Sequence, residues 1–323
     1  MRIYQATAAG RKHTEAGEPN QDWCKAIPLF NGFAAAAVLD GVSCVPHAER
    51  GSEIGGKAFL KAVEFCLEPY RTDTAGCITD ETMREILRNA AVAAWNAIAQ
   101  RAQREGERTY AATLHGVIFH EPSRTAWVLH AGDGAVLALH MDGTFTSTET
   151  KKHTGEIAGS VIPLTGGEQH WEYIKFEQVS TVILTTDGLL PLLQPTLLSR
   201  FGDLLAYPQA VLPLVDERGY TAPETPQTYV DALVGQNLSY ADHRRRLEKL
   251  LMACGCTADA VDDMLTQMRH GDFSYLLQMG RDDRTLVVLQ AEGESVRYPN
   301  GFLGEPDWEK LEERRNAVLY RQA

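Results

Sequence analysis

The sequence predicts an α+β fold in which two antiparallel β-sheets share one core and helices cover their outer faces. Three features of the element order support this. An early apolar strand pattern is followed by two long helix patterns. A run of short strand patterns with tight turns comes next. A final strand pattern follows a mixed, partly helical segment. Helices separated from antiparallel strands along the chain are typical of α+β architecture rather than of alternating parallel-sheet folds.

The first third of the chain contains the early strand and the two helices. Phe33–Leu39 is a short apolar run that ends at Asp40-Gly41, which predicts a strand buried on both faces. Apolar residues at spacings of three and four predict an amphipathic helix over residues 48–67. Residues 80–104 form a second helix pattern rich in alanine, with Thr79 or Asp80 as its N-cap.

Short runs rich in valine, leucine and aromatic residues predict the antiparallel strands. They cover residues 113–119, 126–130, 136–140, 181–186 and 286–289. Asp142-Gly143, between two such runs, is predicted to be a hairpin turn.

The segment 195–278 is longer than a simple connection between strands requires. It contains helix patterns at residues 240–254 and 259–269. Two interpretations stay open: a flap beside the functional site that shapes substrate choice, or a structural helical pair that covers a sheet edge. We predict one domain over residues 1–292, which includes this insertion, and a C-terminal helical tail over residues 293–323.

Composition disfavours several classes of function. Among 323 residues, 31 Lys+Arg stand against 43 Asp+Glu, which gives a formal net charge of −12. Such a surface repels nucleic acid and anionic membranes. No early apolar run approaches the length of about 20 residues that spans a bilayer. The chain start lacks a signal-peptide pattern and the six cysteines form no C-x-x-C pair, so we expect reduced thiols and a cytoplasmic location.

Acidic residues stand directly beside several of the predicted strands. Asp40 and Asp187 each follow an apolar strand, Asp282 precedes the last strand, Asp133 lies in a tight turn, and Asp22 lies early in the chain. Carboxylates gathered at one end of a sandwich would repel each other unless a cation lay among them. Mg²⁺ and Mn²⁺ favour oxygen ligands of this kind.

A turn role is the alternative for these aspartates. Asp-Gly is also a common turn signal, and Asp142-Gly143 is an example within this chain. For Asp40 or Asp187 taken singly, the turn role stays open. The metal hypothesis depends on the whole set.

Five motifs follow one another in a fixed order and cover residues 1 to about 290. They are Gly10-Arg11-Lys12-His13 through Asn20-Gln21-Asp22, Val38-Leu39-Asp40-Gly41, Ala111-Ala112-Thr113 with His130-Ala131-Gly132-Asp133-Gly134, Leu184-Thr185-Thr186-Asp187-Gly188, and Asp282-Asp283-Arg284-Thr285. Each motif is weak alone. Their series resembles the metal-dependent serine/threonine phosphatases of the PP2C (PPM) family, in particular a bacterial branch with a Gly/His opening that leads to Asn-Gln-Asp.

This resemblance implies a four-layer α/β/β/α sandwich and a phosphatase that acts on phosphoserine and phosphothreonine in proteins. It implies two Mn²⁺ or Mg²⁺ ions and attack by the water between them. Asp40 would bridge both ions and the Gly41 carbonyl would complete one shell. Asp187 and Asp282 would hold the other ion, and Asp22 would act through a bound water. The implied partners are phosphorylated proteins, with a cognate serine/threonine kinase or its targets, in bacterial signalling.

Four positions depart from the family pattern. Gln21 stands where a glutamate is usual, and an amide oxygen can still ligate a metal, although without charge. Gly17 stands where many members carry a phosphate-binding arginine. Lys12, His13 or Arg11 are the candidates to replace that arginine, and we prefer His13; a hydrogen-bonded structural histidine is the alternative.

The other two departures concern a general acid and a third ion. Val42 replaces a histidine that often follows the second-motif Asp-Gly. Pro191 replaces a carboxylate that would help Asp133 to hold a third ion, so that ion stays an open question. The departures leave two other hypotheses. One is a catalytically weak or inactive pseudophosphatase that acts as a binding or regulatory module, and the other is a metal-dependent hydrolase of small phosphate esters.

Overall fold

The computed structural model describes residues 1–45, 47–72, 78–106, 110–148, 161–190, 214, 216–220, 222–253, 255–259, 261–262 and 281–293. In these ranges the strands are β1 (Arg2–Ala8), β2 (Trp23–Pro28), β3 (Phe33–Leu39), β4 (Leu114–His120), β5 (Thr125–Ala131), β6 (Ala135–His140), β7 (Phe145–Ser147), β8 (Glu172–Phe176), β9 (Val179–Thr185) and β10 (Arg284–Gln290). The α-helices are α1 (Arg11–Ala16), α2 (Ala48–Leu67), α3 (Asp80–Glu105), α4 (Pro226–Val234) and α5 (Tyr240–Ala253).

The strands form two five-stranded sheets in which every pairing is antiparallel. Sheet A has the order β1-β10-β9-β6-β7, and sheet B has the order β2-β3-β4-β5-β8. Inward-facing side chains of the two sheets, such as Val38, Val128 and Leu184, pack into a shared core. Helices α2 and α3 cover the outer face of sheet B. The four-layer α/β/β/α prediction is confirmed.

The inserted segment supplies the fourth layer. In α4, Tyr229 and Leu233 pack against Leu137 and Ile183 on the outer face of sheet A, and α5 joins the same cluster. This placement favours the structural interpretation for the two described helices, which cover a face rather than an edge. The flap stays a prediction, because residues 191–213 and 263–280 lie outside the described part of the chain. The helix predicted at 259–269 lies mostly outside it, and so does the tail predicted at 293–323, except for residue 293.

The predicted elements agree closely with the observed bounds where an element is buried. All seven residues of β3 are buried, because Ala35 and Ala37 face the helices while Ala34 and Ala36 face sheet A. Helix α2 spans residues 48–67 as predicted. The Thr79 side chain caps α3 by accepting a hydrogen bond from the Thr82 N–H at 3.1 Å.

The elements that the sequence did not predict are short or lie at the margins of the sheets. Strands β1, β2 and β8 are edge strands with half-exposed residues, so they lack the apolar runs that identify buried strands. Two glutamines block the edges formed by β1 and β2. The Gln5 Oε1 accepts the Ala26 N–H at 2.8 Å, and the Gln227 side chain bonds both the N–H and the carbonyl of Gln5. Edges blocked in this way resist pairing with other chains.

The antiparallel order brings the predicted functional segments to one end of the sandwich. Strands β3 and β9 end there, β2 and β10 begin there, and the β5–β6 connection crosses there from sheet B to sheet A. No helix in the described ranges is long and apolar enough to cross a membrane.

Candidate metal centre

Three carboxylates from both sheets converge at this end of the sandwich. Asp40 follows β3, Asp133 lies in the β5–β6 connection, and Asp187 follows β9. One carboxylate oxygen of each lies within 4.8 Å of the others. Asp133 is buried, and Asp40 and Asp187 are half-buried. The sequence alone left the role of Asp133 open, and the folded chain brings it together with Asp40 and Asp187.

Asp22 lies beside this cluster, in the interior. Its side chain is buried, and the Thr186 hydroxyl donates to its Oδ2 at 2.8 Å. The other oxygen, Oδ1, is buried and has no hydrogen-bond partner among the described residues. Burial, and after it the nearby charge of Asp283, raises the pKa of Asp22 to about 7.

Negative charge accumulates around Asp40 in particular. Burial raises the pKa of this carboxyl well above its ordinary value, and the carboxylates of Asp22, Asp187, Asp282 and Asp133 raise it further, in that order. A cluster of this kind stays ionised at neutral pH only if cations offset the repulsion. Its donors are all oxygens, which is the ligand set that Mg²⁺ and Mn²⁺ prefer.

The remaining predicted ligands lie around this cluster. Asp282 is half-buried, accepts the Asp283 N–H at 3.1 Å, and lies outside the group of three but close enough to act on Asp40. The Gln21 carbonyl accepts the Gly41 N–H at 3.1 Å, so the first and second motifs adjoin. The Gln21 side-chain Oε1 is buried and has no hydrogen-bond partner among the described residues.

The glycines that follow the clustered aspartates differ from the glycine of the hairpin turn. Gly143 in the hairpin has a φ of 86°, whereas Gly41, Gly134 and Gly188 do not have positive φ. A Cβ on these three would lie 2.6, 2.4 and 2.0 Å from the carbonyl oxygens of Ala48, Thr185 and Asp283, respectively. Glycine is therefore needed there for close contact between backbone segments around the cluster. Asp187-Gly188 also lies in a turn, closed by the Leu190 N–H donating to the Asp187 carbonyl at 3.1 Å, so a turn and a ligand role are compatible there.

Threonines hold the backbone around the cluster, a role that the sequence alone did not predict. The Thr113 Oγ1 accepts the Asp40 N–H at 2.9 Å, and the Thr113 N–H donates to the Asp40 carbonyl at 2.8 Å. The Thr186 Oγ1 also accepts the Thr285 N–H at 3.2 Å. The sequence indicated a role for these threonines only through their place inside the five motifs, where Thr186 directly precedes Asp187.

Asp283 is a second residue without a predicted role. Its buried carboxylate accepts the N–H groups of Gly10 at 2.6 Å and Gln21 at 2.5 Å, and it lies 2.8 Å from the His13 Nδ1. It therefore joins the opening motif to the last motif.

The same contacts bear on the predicted phosphate-binding residue. His13 is only 1% exposed and lies against Asp283, which favours the structural alternative for this histidine. Lys12 is exposed, and its ammonium group donates to the Ser43 hydroxyl at 3.3 Å, two residues after Gly41. Gly17 ends α1 with a φ of 71°, a conformation in which an arginine would be strained. Pro191 lies outside the described residues.

A buried histidine pair lies between the sheets below the Asp133 turn. His115 Nδ1 and His130 Nδ1 are 2.9 Å apart, so one ring donates and the other accepts. Burial, and then the proximity of His130, lowers the pKa of His115 well below its ordinary value. A Cβ on Gly134 would lie 2.5 Å from the His115 Nε2, so the pair supports the turn from below.

Comparison with known proteins identifies a family and a shared fold. The sequence profile of the family described as protein phosphatase 2C matches residues 9–228. A bacterial serine phosphatase structure has 14% identity and a TM-score of 0.50, and the alignment covers 92% of this chain and 100% of that one. The fold of this chain is therefore shared with that enzyme. No curated protein sequence matches the chain.

Two further solved structures are similar over most of their length. The Mycobacterium tuberculosis serine/threonine phosphatase PstP/Ppp has 18% identity and a TM-score of 0.49, with 90% of this chain and 99% of that one covered. The catalytic domain of PstP in complex with two manganese ions has 19% identity and a TM-score of 0.46, with 90% and 98% covered.

Proposed function

Because this chain belongs to the protein phosphatase 2C family, we propose that it is a metal-dependent phosphatase that hydrolyses phosphoserine and phosphothreonine esters of proteins. The observation that supports activity is the cluster of Asp40, Asp133 and Asp187, whose carboxylate oxygens lie within 4.8 Å of one another. The substrate class follows from the family. The cognate kinase and the cytoplasmic location stay predictions from the sequence.

The residues present fit divalent ions. Asp40, Asp133, Asp187 and the Gly41 carbonyl are the proposed ligands at the centre, with Asp282 and Gln21 at its margin. Two Mn²⁺ or Mg²⁺ ions are proposed, and the position of Asp133 supports a third. When bound, the ions supply an acidified water and positive charge that stabilises in-line displacement at phosphorus.

The protein groups around the cluster hold its atoms in place for this chemistry. Thr113 fixes the Asp40 backbone through two hydrogen bonds. Thr186 occupies one oxygen of Asp22 and leaves the buried Oδ1 available to accept a hydrogen from a water at the cluster. We therefore propose that Asp22 orients that water, whereas Asp40 is a ligand.

Lys12 replaces His13 as the proposed phosphate-binding residue. It is the exposed cation of the opening motif that reaches the loop after Gly41. An ammonium group acts as a point charge, without the bidentate geometry of arginine, so weaker phosphate binding is expected. Lys12→Ala should raise KM for p-nitrophenyl phosphate about tenfold with a smaller change in kcat, while His13→Gln should alter thermal stability more than KM. A large increase in KM for His13→Gln with little change for Lys12→Ala would instead assign phosphate binding to His13.

The central experiment is hydrolysis of p-nitrophenyl phosphate by the purified protein. We expect activity with Mn²⁺, its loss in EDTA, and its loss in Asp40→Asn with an unchanged circular dichroism spectrum. Metal-independent turnover, or full activity of the Asp40→Asn protein, would disprove the proposal. Comparing phosphopeptides with nucleotides and sugar phosphates then distinguishes a protein phosphatase from a hydrolase of small phosphate esters.

A pseudophosphatase is the second candidate function. The buried His13 and the side-chain-free position at Gly17 favour it, because both weaken the case for a phosphate-binding group. Titration calorimetry with Mn²⁺ separates the two functions when it is combined with the hydrolysis assay. Tight Mn²⁺ binding without turnover of any phosphoester would support the pseudophosphatase.

A further inference from the structure

A groove with basic walls lies between β2 and α2, on the outer side of sheet B. It has a volume of about 180 Å³ and is lined by Trp23, Lys25, Ile27, Lys57, Leu60, Lys61 and Glu64. Its apolar lining comes from Trp23, Ile27 and Leu60. We call this feature the lysine groove.

Two of its lysines lack a charged partner. Lys57 pairs with Glu53 at 2.5 Å, whereas Lys25 and Lys61 are exposed and form no ion pair with any residue in the described ranges. Lys175, on β8 at the opposite edge of sheet B, pairs with two carboxylates. Glu64 is the one carboxylate in the lining, against three lysines of which only Lys57 forms an ion pair within the described ranges. On a chain with a net charge of −12, this local excess of positive charge is complementary to an acidic ligand.

The groove begins one residue from Asp22 in the sequence. Trp23 directly follows Asp22, and its ring packs on α2 at Gly56, where a Cβ would lie 2.0 Å from a ring carbon. Strand β2 begins at the centre and runs away from it, so Lys25 lies roughly 10 Å from Asp22 along an extended strand. An extended peptide whose phosphate lies at the centre would reach Lys25 after about three residues, and the rest of the groove lies beyond it.

We propose that the lysine groove binds an acidic segment of the phosphoprotein substrate, about three to seven residues from the phosphorylated serine or threonine. This inference rests on the proposed function and adds a substrate preference to it. The carboxylates of the segment face Lys25 and Lys61, and an apolar side chain packs on Trp23, Ile27 and Leu60. A nucleic acid fits less well, because its many phosphates meet an acidic protein surface beyond the groove.

Phosphopeptide kinetics test the preference. Two pairs of matched phosphothreonine peptides are compared. Within each pair, one peptide carries four glutamates and the other carries four glutamines, at the third to sixth residues from the phosphothreonine. These residues lie on its N-terminal side in one pair and on its C-terminal side in the other. We expect the wild-type protein to favour one acidic peptide roughly three- to tenfold in kcat/KM, mainly through KM, since two exposed ion pairs contribute modestly. Lys25→Gln/Lys61→Gln should abolish the preference and leave p-nitrophenyl phosphate hydrolysis unchanged.

A matched control separates the groove from overall charge. Lys175→Gln/Arg88→Gln also removes two exposed positive charges, so both double variants change the net charge from −12 to −14. Lys175 and Arg88 pair with acidic residues outside the groove. The control protein should keep the preference. The proposal would be overturned if both double variants lost the preference for the acidic peptide, or if the wild-type protein had no such preference.

A binding measurement keeps the inference separate from catalysis. Fluorescence anisotropy with the unphosphorylated acidic peptide should show binding that weakens at least threefold in Lys25→Gln/Lys61→Gln and not in the control. If the protein hydrolyses no phosphoester but shows this pattern, the groove assignment stands and the proposed function fails. Equal affinity of the two double variants for the peptide, or stronger binding of a single-stranded oligonucleotide, would refute the groove assignment.

Discussion

Replacing Asp22 with asparagine should stabilise the metal-free protein at neutral pH, although this residue belongs to the proposed site. Asp22 is buried, the Thr186 hydroxyl donates to it at 2.8 Å, and its side chain also interacts with Thr285 and Asp40. An asparagine has nearly the same shape, its amide oxygen can accept from the threonine hydroxyls, and its amide nitrogen can donate to Asp40. The substitution therefore removes mainly the buried charge.

The magnitude follows from the pKa of this carboxyl. Burial, and then the charge of Asp283, raises the pKa of Asp22 from 3.8 to about 7. The folded state binds this proton more tightly than the unfolded chain, so stability falls as the pH rises from about 4 to about 7 and is constant above that range. A difference of about three pKa units corresponds to about 4 kcal/mol in the free energy of unfolding.

Urea unfolding in EDTA tests this at several pH values. Asp22→Asn should exceed the wild-type protein in unfolding free energy by about 2 kcal/mol near pH 5 and by about 4 kcal/mol near pH 8. Asp142→Asn is the matched control, because the Thr144 N–H and hydroxyl lower the pKa of this exposed carboxyl. That control should be destabilised at neutral pH, and its deficit should vanish as the pH falls below about 4.

Two results would refute the reasoning about Asp22. One is a stability difference between Asp22→Asn and the wild-type protein that does not change with pH. The other is a less stable Asp22→Asn protein near pH 8, which would mean that the carboxylate is better compensated inside the protein than its burial and neighbours imply.

Three other changes have outcomes fixed by packing, burial or hydrogen bonding. Gly56→Ala should lower the free energy of unfolding by about 1–3 kcal/mol in urea, although alanine favours helices, because its Cβ would lie 2.0 Å from the Trp23 ring. Cys44 should react with iodoacetamide much faster than Cys24. Cys44 is exposed, whereas burial, and then the charge of Asp22, raises the pKa of the Cys24 thiol to about 12. Mass spectrometry of alkylated peptides measures the two rates. Asp283→Ala should cost about 3–5 kcal/mol in urea unfolding, because it leaves two buried backbone N–H groups unpaired.

Each of these predictions has a clear contrary result. For Gly56, the control is Gly51→Ala, whose Cβ would have its nearest contact at 3.3 Å; equal losses would mean that Trp23 moves aside freely. Equal alkylation rates for Cys24 and Cys44 would show that Cys24 is accessible. Asp283→Asn keeps one acceptor and should lose less stability than the alanine variant. If it loses as much, the hydrogen bonds are not the source of the effect.

Local patterns were sufficient for the buried elements of the fold. The bounds of β3 could be predicted because a strand buried on both faces is a continuous apolar run. The bounds of α2 could be predicted because a helix buried on one face has apolar residues at spacings of three and four. The edge strands β1, β2 and β8 could not, because half-exposed strands carry no continuous apolar run. The motif order identified the family, and the aspartates beside the strands indicated which carboxylates would form a metal site.

The acidic character of the site was thus determined by the sequence alone, and its arrangement was decided by tertiary structure. The placement of Asp133 with Asp40 and Asp187 depends on how the two sheets pack, and no local pattern encodes that packing. The burial of His13 depends on Asp283, which also binds Gly10, 273 residues away in the sequence. Such contacts arise only when distant segments meet, so sequence spacing indicates which groups are available and the folded chain determines which of them act together.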